Sequence, residues 1–150
     1  MTIPVKLNQG KRLGHSLAYI SEGENPTAKI EKIQTTTLDL FWGTTSLPKI
    51  DFIKCDVEGA EAWVLEGARE TLRRFKPILL FEINHAFFRD KFQGSAEFLD
   101  KLLKENQYEI FVLKGDRLAR SSGFALNGNY FFIPSHKVEN IQNQGLIHAA

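Results

Sequence analysis

The sequence predicts an α/β domain, and three observations predict it. Continuous apolar runs at 50–56 ("IDFIKCD"), 77–83 ("PILLFEI") and 108–114 ("YEIFVLK") recur down the chain. Amphipathic stretches at about 59–74 and 95–106 separate them, so the order strand, helix, strand, helix, strand argues for βαβ units, with the three strands parallel or part of one mixed sheet. With 150 residues, 43% of them hydrophobic, the chain is long enough for one core and short for two, so residues 1–150 read as a single domain.

From Met1 to Asp39 the pieces "PVKLN", "SLAYIS" and "KIEKIQTTTL" alternate between turn-rich segments and read as two or three antiparallel strands. "LDLFWGTTSLPK" is a brief helical or looped connection into the first apolar run, whose Ile50, Phe52 and Ile53 suit a strand buried on both faces. From Gly59 onward Ala60, Trp63, Val64, Ala68 and Leu72 recur at steps of three and four, as a surface helix requires, and Pro77 ends it. "SAEFLDKLLKEN" has Ser95 as an N-cap candidate and Phe98, Leu102 and Leu103 on one face. "RLARSSGFALNGNYFFIPS" reads as a loop containing "NGN" and a last strand at 130–133, which completes a core over 50–135. The polar tail from His136 is expected to be ordered only in part.

Nineteen Lys and Arg against 18 acids give a net charge of +1, which offers no electrostatic reason for a nucleic-acid partner or an anionic membrane. Twelve Phe mostly fall at strand or helix spacing, which suits a core better than a base-stacking platform. The lone Cys55 excludes an internal disulfide and leaves no Cys/His cluster for a metal, so a reducing, cytoplasmic setting fits. Residues 1–22 hold neither a signal-peptide core nor a membrane span.

"TTTLDLF" followed by "IDFIKCDVEGAEAWVLEGARETLRRFKPILLFEI" resembles the core signature of the FkbM family of S-adenosylmethionine-dependent methyltransferases. The resemblance is strong over about residues 30 to 85, and Lys54, Asp56, Glu58, Gly59, Glu61, Leu65 and Gly67 carry it. It implies a class I methyltransferase-like (Rossmann-like) sheet with flanking helices, S-adenosyl-L-methionine as cofactor, and methyl transfer to an oxygen of a sugar or other small-molecule acceptor. No glycine-rich strand-turn cluster precedes "IDFIKCD", so the chain is expected to correspond to the C-terminal portion of such a domain, lacking its first strands. The alternative is a non-catalytic remnant that keeps the sheet for packing or partner binding. On either view the strand 50–56 is expected to open one sheet edge and invite self-association, unless "KIEKIQTTT" folds back to cover it.

In open α/β sheets ligands bind at the carboxyl ends of strands, which makes Asp56 the leading candidate for cofactor binding and catalysis. Glu58 is a further catalytic candidate; the alternative role of both acids, secondary for Asp56 and equal for Glu58, is to cap the helix that follows, near its positive end, and Glu61 fits the helix itself. Lys54, inside an apolar strand, needs a carboxylate partner or an exit to the crevice and is either an ion-pair or a catalytic residue. Glu82 and His85 fall at and just past the next strand end, and His85 could take the acceptor's proton. His15 and Ser16 resemble a loosely shared family element, with a turn role as the alternative.

Overall fold

A computed structural model describes residues 2–7, 18–20, 29–45, 48–57, 60–84, 95–123 and 127–148. Three antiparallel strands come first: β1 (Thr2–Leu7), β2 (Ala18–Ile20) and β3 (Lys29–Gln34), in the order β2-β1-β3. β1 is central, with Val5 opposite Ile20 on one side and Glu31 on the other. The expected antiparallel N-terminal region is therefore present.

Helix α1 (Leu38–Thr44) follows, started by the Thr37 hydroxyl, which accepts from the Leu40 N–H at 3.1 Å. Then come β4 (Phe52–Cys55), α2 (Glu61–Glu66), α3 (Arg69–Phe75), β5 (Ile78–Ile83), α4 (Ser95–Glu105), β6 (Tyr108–Lys114), β7 (Arg117–Ser121), β8 (Gly128–Pro134) and α5 (Ser135–Asn143). The five later strands form one sheet in the order β4-β5-β8-β6-β7. Only β4 and β5 pair in parallel; β8 inserts antiparallel between β5 and β6, and β6 turns back into β7. The sheet is mixed, the second of the two expected arrangements, with its only parallel pair at β4 and β5.

Alternate residues of this sheet face two different layers. Cys55, Leu79, Phe81, Ile83, Tyr108, Tyr130 and Phe132 pack with Leu65 and Leu72 of the α2–α3 segment and Leu99, Leu102 and Leu103 of α4. Phe81 and Phe132 meet edge to face at 5.7 Å, and each fully buried side chain of this size is worth roughly 1.5–3 kcal/mol. On the opposite face Phe111 and Ile133 pack against Val138 of α5 and against Ile147. The tail expected to be only partly ordered thus contains a helix, because Val138 and Ile141 give it an apolar side.

Three further differences have local causes. The helix expected over 59–74 is two helices, broken where Gly67 ends α2 and Ala68 begins α3. β7, expected as loop, is the second arm of a hairpin; Gly115, at φ 64°, occupies the first place of a two-residue turn with Asp116, as such tight hairpins require. β4 is not buried on both faces, since Phe52 is half exposed (50%), while among the described residues it ends the strand order, as the expected open edge required. The other edge carries more chain: Leu118 of β7 donates to the Leu146 carbonyl and accepts from the His148 N–H, bracketing a parallel bridge to Ile147.

Candidate functional site at the carboxyl ends of β4 and β5

Because β4 and β5 run in parallel with Lys54 beside Leu80, their carboxyl ends lie side by side. Lys54 and Glu82 therefore share the sheet face opposite the α2–α4 layer, and both are exposed. β8 starts at this end as well, setting Asn129 opposite Glu82. Lys54 Nζ donates to Asp56 Oδ2 at 2.9 Å, with the Asp56 side chain 38% exposed. That hydrogen bond raises the Lys54 pKa, and the negative charges of Asp56 and Glu82 add to the effect. Lys54 thus has both things its place in an apolar strand demanded, an exit to solvent and a carboxylate partner.

Asp56 and Glu82 come together as expected at adjacent strand ends. Among the contacts described, Asp56 is held by Lys54 rather than by a helix N–H. Glu58, His85, His15 and Ser16 lie outside the described residues.

Directly behind this end, on the core side, Cys55 and Glu61 are both buried. Burial, and then the Glu61 carboxylate, pushes the Cys55 thiol up to about 12, so it stays protonated. Glu61 is the first residue of α2, as the helical assignment had it, yet it also reaches back so that its Oε1 accepts from the Val57 N–H at 3.2 Å. It thereby ties the segment just after Asp56 to the start of α2.

Asp39 has a structural role that nothing in its sequence neighbourhood signals. Neither α2 nor α3 has a cap from its own N-cap side chain. Asp39 supplies one to α3: its carboxylate accepts from the N–H groups of Glu70 (3.0 Å) and Thr71 (2.9 Å) and from the Thr71 hydroxyl (2.7 Å). Its own N–H donates to the Gly67 carbonyl at 2.9 Å. Gly67 is needed there because an added Cβ would stand 3.0 Å from Thr37 Cβ. No local pattern signals a bond spanning 32 residues; the only hint was that "TTTLDLF" and "EGARET" belong to one signature.

A concavity of about 950 Å³ lies beside Asp39, lined by Trp42, Lys49, Arg73, Arg74 and Phe75 among others. It sits at the opposite end of the sheet from Asp56, since Lys49 precedes β4 and Phe75 ends α3. Its cations are largely answered already, Arg73 by Glu70 and Lys49 by Asp51, each at 2.7 Å. The strand-end group is accordingly the better candidate for chemistry.

No helix among the described residues is long and apolar enough to cross a membrane. No curated protein and no solved structure matches the chain. The family model of the methyltransferase FkbM domain does match, over residues 6–110, a span that holds Asp39, Lys54, Asp56, Glu61 and Glu82. With parallel strand ends presenting acids on a mixed α/β sheet, and with that match over most of its length, the chain belongs to the FkbM methyltransferase family.

Proposed function

We propose that this chain takes part in methyl transfer from S-adenosyl-L-methionine to a hydroxyl oxygen of a sugar or similar small molecule, at the carboxyl ends of β4 and β5. The observation that carries the reading is the presence of Lys54, Asp56 and Glu82 together at the ends of two adjacent parallel strands, where α/β sheets bind ligands. The donor set suits the cofactor: exposed carboxylates can accept from ribose hydroxyls and favour a nearby positive charge. Bound there, the cofactor supplies an electrophilic methyl group. Asp56 is the residue assigned to hold it, and Lys54 fixes the Asp56 carboxylate through their hydrogen bond. Glu82 orients the acceptor and, with His85, is the group available to take the hydroxyl proton as the new carbon–oxygen bond forms. Orientation supplies most of the rate, and base assistance adds modestly.

A second reading, a packing or partner-binding module without catalysis, is favoured by one observation. Asp39 and Glu61, both within the matched span, hold the fold together instead of facing the strand ends. Calorimetry with S-adenosyl-L-methionine separates the two. The catalytic reading expects weak binding, because the chain carries no glycine-rich turn before β4, and expects Asp56→Ala to abolish it. Tight binding that survives Asp56→Ala overturns the site assignment, and no binding at any cofactor concentration favours the module.

A further inference from the structure

The registers of β4, β5, β8 and β6 align one residue from each strand into a single row at the end of the sheet that carries Asp56. Cys55 stands beside Phe81, so Asp56 falls beside Glu82 one step further on. Glu82 in turn stands opposite Asn129 of β8. Val112 pairs with Tyr130, so the next step along both strands sets Leu113 beside Asn129. Paired residues share a face, and Asp56, Glu82, Asn129 and Leu113 are all exposed. The row thus runs carboxylate, carboxylate, amide, leucine, with neighbours about 5 Å apart. Its polarity ends at Leu113, which is 59% exposed.

The two middle members are chemically complementary. A carboxylate such as Glu82 only accepts hydrogen bonds, whereas the Asn129 amide offers two N–H donors and a carbonyl acceptor. Among the described residues neither side chain has a hydrogen-bond partner. Asn is disfavoured in strands, and Asn129 lies past Gly128 with its backbone already paired to Glu82, so turn chemistry does not account for it.

Building on the methyl-transfer reading, on which this inference rests, we propose that Asn129 selects the acceptor. It binds the hydroxyl on the carbon next to the one whose hydroxyl Glu82 holds, so the substrate is a vicinal diol of a sugar ring rather than an isolated alcohol. Glu82 accepts from the reacting hydroxyl, and an Asn129 N–H donates to the oxygen beside it. Two such bonds from adjacent strands fix the rotation of the ring as well as its position, which one bond does not do. Leu113 then lies under the C–H surface of the ring, where a further hydroxyl would lose hydration without gaining a partner.

Nuclear magnetic resonance titration of the whole chain tests this with two probes. Methyl β-D-glucopyranoside carries three consecutive ring hydroxyls and so presents the motif twice; its 3-deoxy analogue has no two free hydroxyls on neighbouring carbons. The parent glycoside is expected to shift the Asn129 side-chain amide signals and to bind about fivefold more tightly than the analogue, the worth of one neutral hydrogen bond. Asn129→Ala is expected to bind the two alike, at the weaker affinity, and to keep the wild-type melting temperature because Asn129 is exposed. A wild-type chain that binds both alike, or neither, overturns the inference, and so does an Asn129→Ala variant that still prefers the parent. The readout needs no cofactor, so the two readings fail separately. Discrimination of the glycosides without any binding of S-adenosyl-L-methionine overturns methyl transfer alone, whereas cofactor binding without discrimination overturns selection by Asn129 alone.

Discussion

The family signature divides into two regions that treat their acids in opposite ways. At the α1–α3 shoulder, Asp39 accepts three hydrogen bonds, from two backbone N–H groups and one hydroxyl, and at the start of α2 the buried Glu61 secures Val57. At the strand ends, Asp56 and Glu82 stand in solvent, and Asp56 has one lysine for company. An acid whose lone pairs are filled by the backbone stabilises the fold and has little left for a ligand. An acid at the surface contributes little to stability and stays available. Membership of one motif therefore does not imply one role.

The contrast can be broken or sharpened by experiment. Its largest expected effect lies at Cys55, on the boundary between the regions. An unfolded thiol titrates near 9.0, whereas the folded one is pushed to about 12. The unfolded state therefore releases its proton first. Stability contributed by the neutral thiol is complete below pH 9 and falls as pH rises, by about 1.4 kcal/mol per unit and about 4 kcal/mol in all. Cys55→Ala should flatten that part of the pH–stability curve, and thiol-labelling reagents should reach Cys55 only on unfolding.

Asp39→Ala comes next. Leaving the first turn of α3 without acceptors should cost about 2 kcal/mol in urea unfolding, although Asp39 lies far from the strand ends. A smaller loss, about 1 kcal/mol, is expected for Gly67→Ala, because the new methyl meets Thr37, itself fixed as the α1 cap. Adding Thr37→Gly should make the pair less harmful than the sum of the two changes; strict additivity would show that the contact is not the cause. The smallest stability change belongs to Asp56→Ala, which should leave the melting temperature within error while abolishing cofactor binding. A large drop in melting temperature would erase the distinction between the regions.

What could be read from the sequence follows the range of the forces involved. β4, β5 and β6 announce themselves as apolar runs, and the strand-end position of Asp56 and Glu82 follows from those runs alone. The amphipathic face of α4 was equally plain. The role of Asp39 was not legible, because its partners Glu70 and Thr71 are distant in sequence and nothing at "TLD" predicts them. The break between α2 and α3 escaped for the same reason, since Thr37 and Asp39 are what meet Gly67 there. β7 was missed through local chemistry that was present: Gly115–Asp116 is a two-residue hairpin turn, passed over in favour of a loop. The place of β8 between β5 and β6 depends on which strands lie beside it, a matter of topology that no window of residues contains.

The two margins of the five-stranded sheet are unequal. Beyond β7, Leu118 exchanges hydrogen bonds with Leu146 and His148, so the chain's own residues occupy that side. Beyond β4 the described chain offers nothing comparable. The short stretch from Leu146 to His148 therefore works as a clasp: two backbone hydrogen bonds on Leu118 fasten the segment after α5 to the β7 side of the sheet, next to the layer that holds Phe111 and Ile133.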